Sequence, residues 1–398
     1  MTQEKMQEQE PLEARAARLA RELLIVDGHI DLPYRLWEGR DESGALTEDI
    51  GQRTEKGDFD LPRAEAGGLD APFLAIYVSP KLAAEPGASK AQADALIDLV
   101  EGLVAAHPER MALARSPDEV EERFAQGKLA TLLGIENGSA LEDDLANLEH
   151  FHDRGVRYVT LTHSKNNRIG DSSYEEPEER LHHGLSEFGV AVVKEMNRLG
   201  LMVDVSHVSD ETLRAVLEVA EAPVIASHSG LRHFTPGFER NLDDEGVKGI
   251  AAGGGIVMVN FGSMFVSEAA QKASEARWKA GDTYAEAQGL SWKEEEERAK
   301  IEAYLDEHHP RVDATLAQVV DHIDRVVALA GVDHVGLGSD YDGVGPGVPV
   351  GLEDASRYPA LIAELLRRGY TEPQVAQICS GNLMRVWRAV EAHAASGK

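Results

Sequence analysis

Eight short runs of apolar, often β-branched residues recur along the chain, and helical patterns separate most of them. The runs are LLIVDGHID (23–31), APFLAIYV (71–78), LATLLGIEN (129–137), RYVTLTH (157–163), LMVDVSH (201–207), PVIASHS (223–229), GIVMVNF (255–261) and HVGLGSDYD (334–342). Most are nearly continuous in apolar residues rather than alternating. Strands that hide both faces read this way, as in a parallel sheet covered by helices. Between them, 89–106 carries apolar residues at helical spacing behind Ser89, a candidate N-cap. Residues 185–200 end on Gly200, a helix stop, and 209–220 begin on Ser209, a second candidate cap. This alternation calls for a parallel sheet, and eight units predict closure into a (β/α)₈ TIM-like barrel. The 398 residues suit one catalytic domain of this kind, with its core at about 20–392. Residues 263–312 break the repeat as a charged, Ala- and Glu-rich helical insertion. A decorated loop and a lid or subunit contact are both open for it. After residue 342, EDASRYPALIAELLRRG and TEPQVAQICSGNLMRVWRAVEAH supply closing helices.

Charge and cysteine usage narrow the partners. A formal net charge of -30 repels phosphate backbones and anionic membranes, so neither nucleic acid nor a membrane surface is expected to bind. Cys379 is the single cysteine, which excludes an intrachain disulfide and a thiolate metal cage. Any metal must be held by His, Asp and Glu, and Cys379, within a helical pattern, is expected in the core. The N-terminal segment is too polar for a secretion signal, and no run approaches a membrane span, so a cytoplasmic location is expected.

The chemistry lies where the strands stop. Catalytic groups of a parallel barrel sit at the C-terminal strand ends. His29 and Asp31, two apart on the first strand, point to one side; Asp27 shares that side but lies deeper, as structural support. Glu136 ends a purely apolar run, where burial without a partner would cost on the order of several kcal/mol. His163 ends the fourth strand, His207 the fifth and His228 the sixth. Two imidazoles at one height on adjacent strands are unlike satisfied core histidines. Asp340 and Asp342 share a side of the eighth strand; one is a candidate base or ligand and the other a loop brace. His29, Asp31, Glu136, His207 and His228 form a nitrogen–oxygen set that suits zinc, manganese or iron(II). Five ligands exceed what one open catalytic zinc needs. Two ions bridged by Glu136 accommodate them, with a shared hydroxide whose pKa falls toward about 7. The remaining histidines carry no expected chemistry; His322 is expected to pack or hydrogen-bond under the barrel wall.

The landmarks VDGHIDLP, GIENG, LTHSKNN, GLSEFGVAVVKEMNRLGLMVDVSHVS, PVIASHSG, ERNLDDE, GGGIVMVNF and GLGSDYDG follow one another in a specific order. Through them the chain resembles the membrane (renal) dipeptidase family, a branch of the amidohydrolase-like metal hydrolases, over roughly residues 20–392. The resemblance implies a dipeptidase with two zinc ions per chain. His29 and Asp31 would hold one ion, His207 and His228 the other, and Glu136 would bridge them. Asp340 would handle protons and contact the substrate amine, His163 would stabilise the oxyanion, and Arg240 would grip the substrate carboxylate. It further implies acceptance of a D-residue at the C-terminal position, and homodimers. Two other readings remain open. Another binuclear amidohydrolase, acting on a cyclic amide or ester, would use a carboxylated lysine on the fourth strand, a role within reach of Lys165. A barrel without turnover would serve as a small-molecule binding protein.

Overall fold

The computed structural model describes residues 10–397. Each of the eight apolar runs coincides with a strand, β5 starting one residue before its run: β1 Val26–Ile30, β2 Ala71–Tyr77, β4 Leu129–Glu136, β5 Val156–Thr160, β6 Met202–Asp204, β7 Ile225–Ser229, β8 Ile256–Val259 and β9 Val335–Leu337. A further three-residue strand, β3 Met111–Leu113, pairs with the start of β4 outside the barrel. The other eight run parallel in the order β1-β2-β4-β5-β6-β7-β8-β9. The last seam joins β1 to the chain just past β9. There Ile30 bridges Tyr341, Asp31 N donates to Tyr341 O at 2.9 Å, and Asp340 N donates to His29 O at 3.0 Å. The result is a nearly closed TIM-like barrel.

Two apolar layers hold it. Between strands and surrounding helices lies the larger core, with Leu74, Ile76, Leu133, Ile135 and Val203 facing outward onto helices. Inside the barrel, strand-start residues such as Val26, Ala71, Ile225 and Ile256 meet Phe73, Tyr158 and Met258. Gly134 is required here: a Cβ on it would fall 2.0 Å from the Tyr158 ring, so only glycine lets that ring cross the interior. The closing helix Asn382–Ser396 plugs the N-terminal mouth with Leu383, Met384, Val386 and Trp387. Trp387 lies tilted on Phe73, with centroids 5.6 Å apart. Cys379 is buried in a π turn just before this helix, and burial pushes its thiol up to about 12, as befits a packing residue.

The capping expectations divide. Ser209 caps its helix, accepting from Thr212 N at 3.1 Å, and Gly200 ends Glu187–Leu199 in the left-handed conformation. Ser89 does not cap: the chain enters Ala88–Ala106 through Gly87 at φ 83, which leaves Ser89 buried in the first turn. His322 is buried and bonded at both ring nitrogens, accepting from Leu231 N at 3.0 Å and donating to Val266 O at 3.0 Å.

The insertion is an ordered hairpin of two helices, Glu268–Gln288 and Glu295–His308, turning at Gly289. It has a small core of its own around Ala285, Ile301 and Leu305, with Tyr284 stacked on Tyr304 at 4.0 Å. Among the described residues, no helix is long and apolar enough to cross a membrane.

Candidate metal centre

The C-terminal strand ends bring His29, Asp31, Glu136, His163, His207, His228 and Asp340 to one point. Glu136, at the end of β4, stands in the middle. Its Oε2 lies 3.6 Å from His29 Nε2, which is 3.4 Å from Asp31 Oδ2. Its Oε1 lies 3.1 Å from His207 Nε2, 3.6 Å from His228 Nε2 and 3.5 Å from His163 Nε2. One carboxylate therefore offers an oxygen to each of two groups of candidate ligands. Among the described residues, three sets of candidate ligand atoms each lie within 4.8 Å of one another: His29–Glu136–His228, Glu136–His163–His207 and His29–Asp31–Asp340.

The hydrogen bonds behind two of the imidazoles decide which nitrogen faces the centre. The Tyr158 hydroxyl donates to Gly28 O at 3.1 Å, so it must accept from His29 Nδ1–H at 2.8 Å. His29 Nε2, buried and without a hydrogen-bond partner, is then the nitrogen left to face Asp31 and Glu136. On β7 the Ser227 hydroxyl donates to Asp204 at 2.6 Å and accepts from His228 Nδ1–H at 2.7 Å. His228 Nε2 is left as a lone pair, 2.9 Å from His207 Nε2. His207 Nδ1 has no partner, so no hydrogen bond behind this ring fixes its tautomer, and its Nε2 faces both His228 Nε2 and Glu136 Oε1. Histidines oriented through their far nitrogen, as His29 and His228 are, are the usual support of a metal. The clustered imidazoles and carboxylates make a donor set suited to binding metal.

Electrostatics point the same way. Burial and the neighbouring Arg240 and His163 hold His207 well below the ordinary imidazole range. Burial and His29 do the same for His228. Both are therefore neutral, as ligands must be. Burial opposes ionisation of Glu136, but the surrounding histidines outweigh it and hold its carboxyl well below the usual range. Burial also disfavours a charged His29, yet Tyr158, Asp31 and Glu136 together draw its pKa well up. Carboxylates that pull a proton onto an imidazole would be satisfied equally by a cation. Asp340 is pushed well above the carboxylate range by burial and by Asp31 and Glu136, against an Asn260 Nδ2 donor at 2.7 Å.

The backbone bends sharply at this rim. His207, Asp340 and Asp342 occupy the left-handed region, at φ 69, 62 and 67. A histidine there is uncommon, and such conformations persist where the surroundings enforce them, often at functional sites. The bends turn the side chains from the strands into a cavity of about 540 Å³ above Glu136, walled by Tyr34, Tyr77, Tyr174 and Phe265.

Arg240 backs one wall. It is buried, donates to His228 O at 2.8 Å and Ser229 Oγ at 3.1 Å, and lies over the Phe265 ring at 5.2 Å. Among the described residues it has no carboxylate partner, and its Nε has no acceptor. Asp342 is the brace of its pair, accepting from Arg35 Nε at 2.9 Å and Asp58 N at 2.6 Å. Asp27 accepts from His29 N and Ser339 N, both at 3.0 Å, and ties β1 to the end of β9. Lys165 is kept from the centre: it is exposed and pairs with Glu175. Tyr158, Ser227, Asp204 and Asn260 had no place in the sequence reading. Their one signal was a polar residue inside or closing an apolar strand, where it must find a partner.

The model of the membrane dipeptidase family, peptidase family M19, matches residues 13–398. The chain belongs to this family. Solved members resemble it along nearly their whole length. The probable dipeptidase PvdM from Pseudomonas aeruginosa shares 27% identity, with 96% of this chain and 99% of that one covered and a TM-score of 0.79. A metallopeptidase from Rhodobacter sphaeroides, solved with a phosphinate mimic of the dipeptide L-Ala-D-Ala, shares 25% identity over 92% and 99% of the two chains, at a TM-score of 0.72. The family is one of metallopeptidases, and in this member the groups suited to a metal gather at the rim where such a barrel carries its chemistry.

Proposed function

We propose that this protein is a dipeptidase that cleaves the amide bond of dipeptides with two divalent ions, zinc being the best match to its donors. The observation that carries the reading is the division of Glu136, with Oε2 toward His29 and Oε1 toward His207 and His228. His29 and Asp31 would hold one ion, His207 and His228 the other, and Glu136 would span both. When bound, such a pair supplies Lewis-acid polarisation of the scissile carbonyl and acidifies a water toward neutral pH.

The protein's own groups do the remainder. Asp340 pairs with the substrate ammonium, takes the proton of the attacking water and returns it to the leaving amine. His163 donates to the carbonyl oxygen as that oxygen gains negative charge. Arg240 presents a planar fork to the terminal carboxylate, which supplies the counter-charge that the buried guanidinium lacks. A dipeptide is a zwitterion, so these two charged anchors measure its length. The ligand of the Rhodobacter sphaeroides relative supports dipeptides with a C-terminal D-residue as candidate substrates. The carboxylated-lysine alternative finds no support in the exposed position of Lys165.

The reading is tested by assaying purified protein on a dipeptide panel with and without added zinc. Two further outcomes are expected. Arg240→Lys keeps the buried charge but loses the fork. It should raise KM for free dipeptides by about tenfold or more and leave C-terminally amidated ones little changed; equal losses on both would detach Arg240 from the carboxylate. Ser227→Ala removes the acceptor that orients His228. Metal affinity should fall by about 10–100-fold, as read by competition with a chromophoric chelator. Unchanged affinity would deny that serine its orienting part.

A further inference from the structure

The hairpin insertion encloses space beside the metal centre. Its first helix, Glu268–Gln288, faces the loop after β9, and a second cavity of about 520 Å³ lies between them. This cavity and the one above Glu136 share Met264, Trp278 and Val344 in their walls. The space is held open by ordered parts. Arg277 fastens the two helices, with Nη2 2.6 Å from Glu302 and 2.8 Å from Asp306 and Nη1 donating to His309 O at 2.9 Å. Trp292 is fixed by its Nε1, which donates to Asp282 at 3.0 Å. Trp278, common to both cavities, is 55% exposed, and a large flat ring so placed gains from an apolar partner. The first cavity alone is large enough for a drug-sized ligand, and a dipeptide with two methyl side chains is far smaller.

We propose that the second cavity is a subsite for the side chain of the dipeptide's N-terminal residue, and that it selects aromatic or long apolar groups. The inference rests on the dipeptidase reading, in which Asp340 holds the ammonium. Val344 follows Asp340 on the same loop, and Gly343 between them packs so tightly that a Cβ there would lie 2.4 Å from Asp340 Oδ1. The carboxylate end belongs to Arg240, behind His228 and Ser229. The residue that carries the ammonium is therefore the one whose side chain points toward Val344 and Trp278.

The test compares kcat/KM for X-Ala dipeptides, with X as Gly, Ala, Leu, Phe and Trp, against the reversed Ala-X series. The wild-type protein should favour Phe and Trp over Ala by about tenfold or more at the first position, with a weaker trend in the reversed series. Trp278→Ala, at an exposed position that tolerates truncation, should lower the Phe-Ala to Ala-Ala ratio by about tenfold. Filling the cavity with Ala273→Trp should lower the same ratio. No turnover of any dipeptide would sink the dipeptidase reading and this inference with it. Turnover indifferent to X, or a preference confined to the reversed series, would overturn only the subsite. A dimer that dissociates in Trp278→Ala while the ratio holds would assign the face to a second copy of the chain and overturn it as well.

Discussion

Asp340→Asn is expected to lower kcat by about 10²–10⁴-fold while the metal content stays near that of the unaltered protein. The substitution is well matched to its place. Asparagine tolerates the left-handed backbone that position 340 requires, at φ 62, better than most residues do. Its amide oxygen can still accept from Asn260, and it removes a carboxylate crowded against Asp31 and Glu136. Folding should therefore be spared, and the loss should fall on proton transfer. Steady-state kinetics beside elemental analysis of the same preparation separate the two effects. A rate within about threefold of the original would remove Asp340 from proton handling.

Glu136→Gln should have the larger effect on the metal itself. Elemental analysis of the unaltered protein should find about two ions per chain. With glutamine at 136, one neutral oxygen cannot serve both groups of imidazoles, and occupancy should drop. The rate should fall by about 10³-fold or more, since metal assistance is worth several kcal/mol of barrier. Thermal unfolding gives a second readout. Added zinc should raise the Tm of the chelator-treated native protein, because a ligand bound only by the folded state stabilises it, and the rise should shrink in the variant. A metal-free preparation at full activity would defeat the proposal, as would a Glu136→Gln protein that keeps both ions and its rate.

The barrel was legible because parallel strands covered on both faces read as unbroken apolar runs, and each of the eight runs coincides with a strand. The candidate ligands were legible because each interrupts such a run at its end. Less could be read of what supports them. Tyr158 lies within β5, and nothing local says that its hydroxyl crosses the barrel to His29. Ser227 adjoins His228, but its bond to Asp204 depends on how β6 and β7 pair. β3 escaped because its three residues stand between Arg110 and Arg115, whereas the equally short β6 and β9 lie inside longer apolar runs. The cap at Ser89 failed because the preceding glycine sets the entry geometry, a choice of φ that propensity does not reveal. The left-handed turn at His207 is hidden for the same reason, since histidine gives no hint of it.

Trp387 and Glu136 stand at opposite mouths of one barrel. Substitutions around the tryptophan should govern yield and heat tolerance while sparing the ranking of one dipeptide over another. Substitutions among the loops over the glutamate should do the reverse. New preferences could therefore be selected in this protein without first spending its resistance to unfolding.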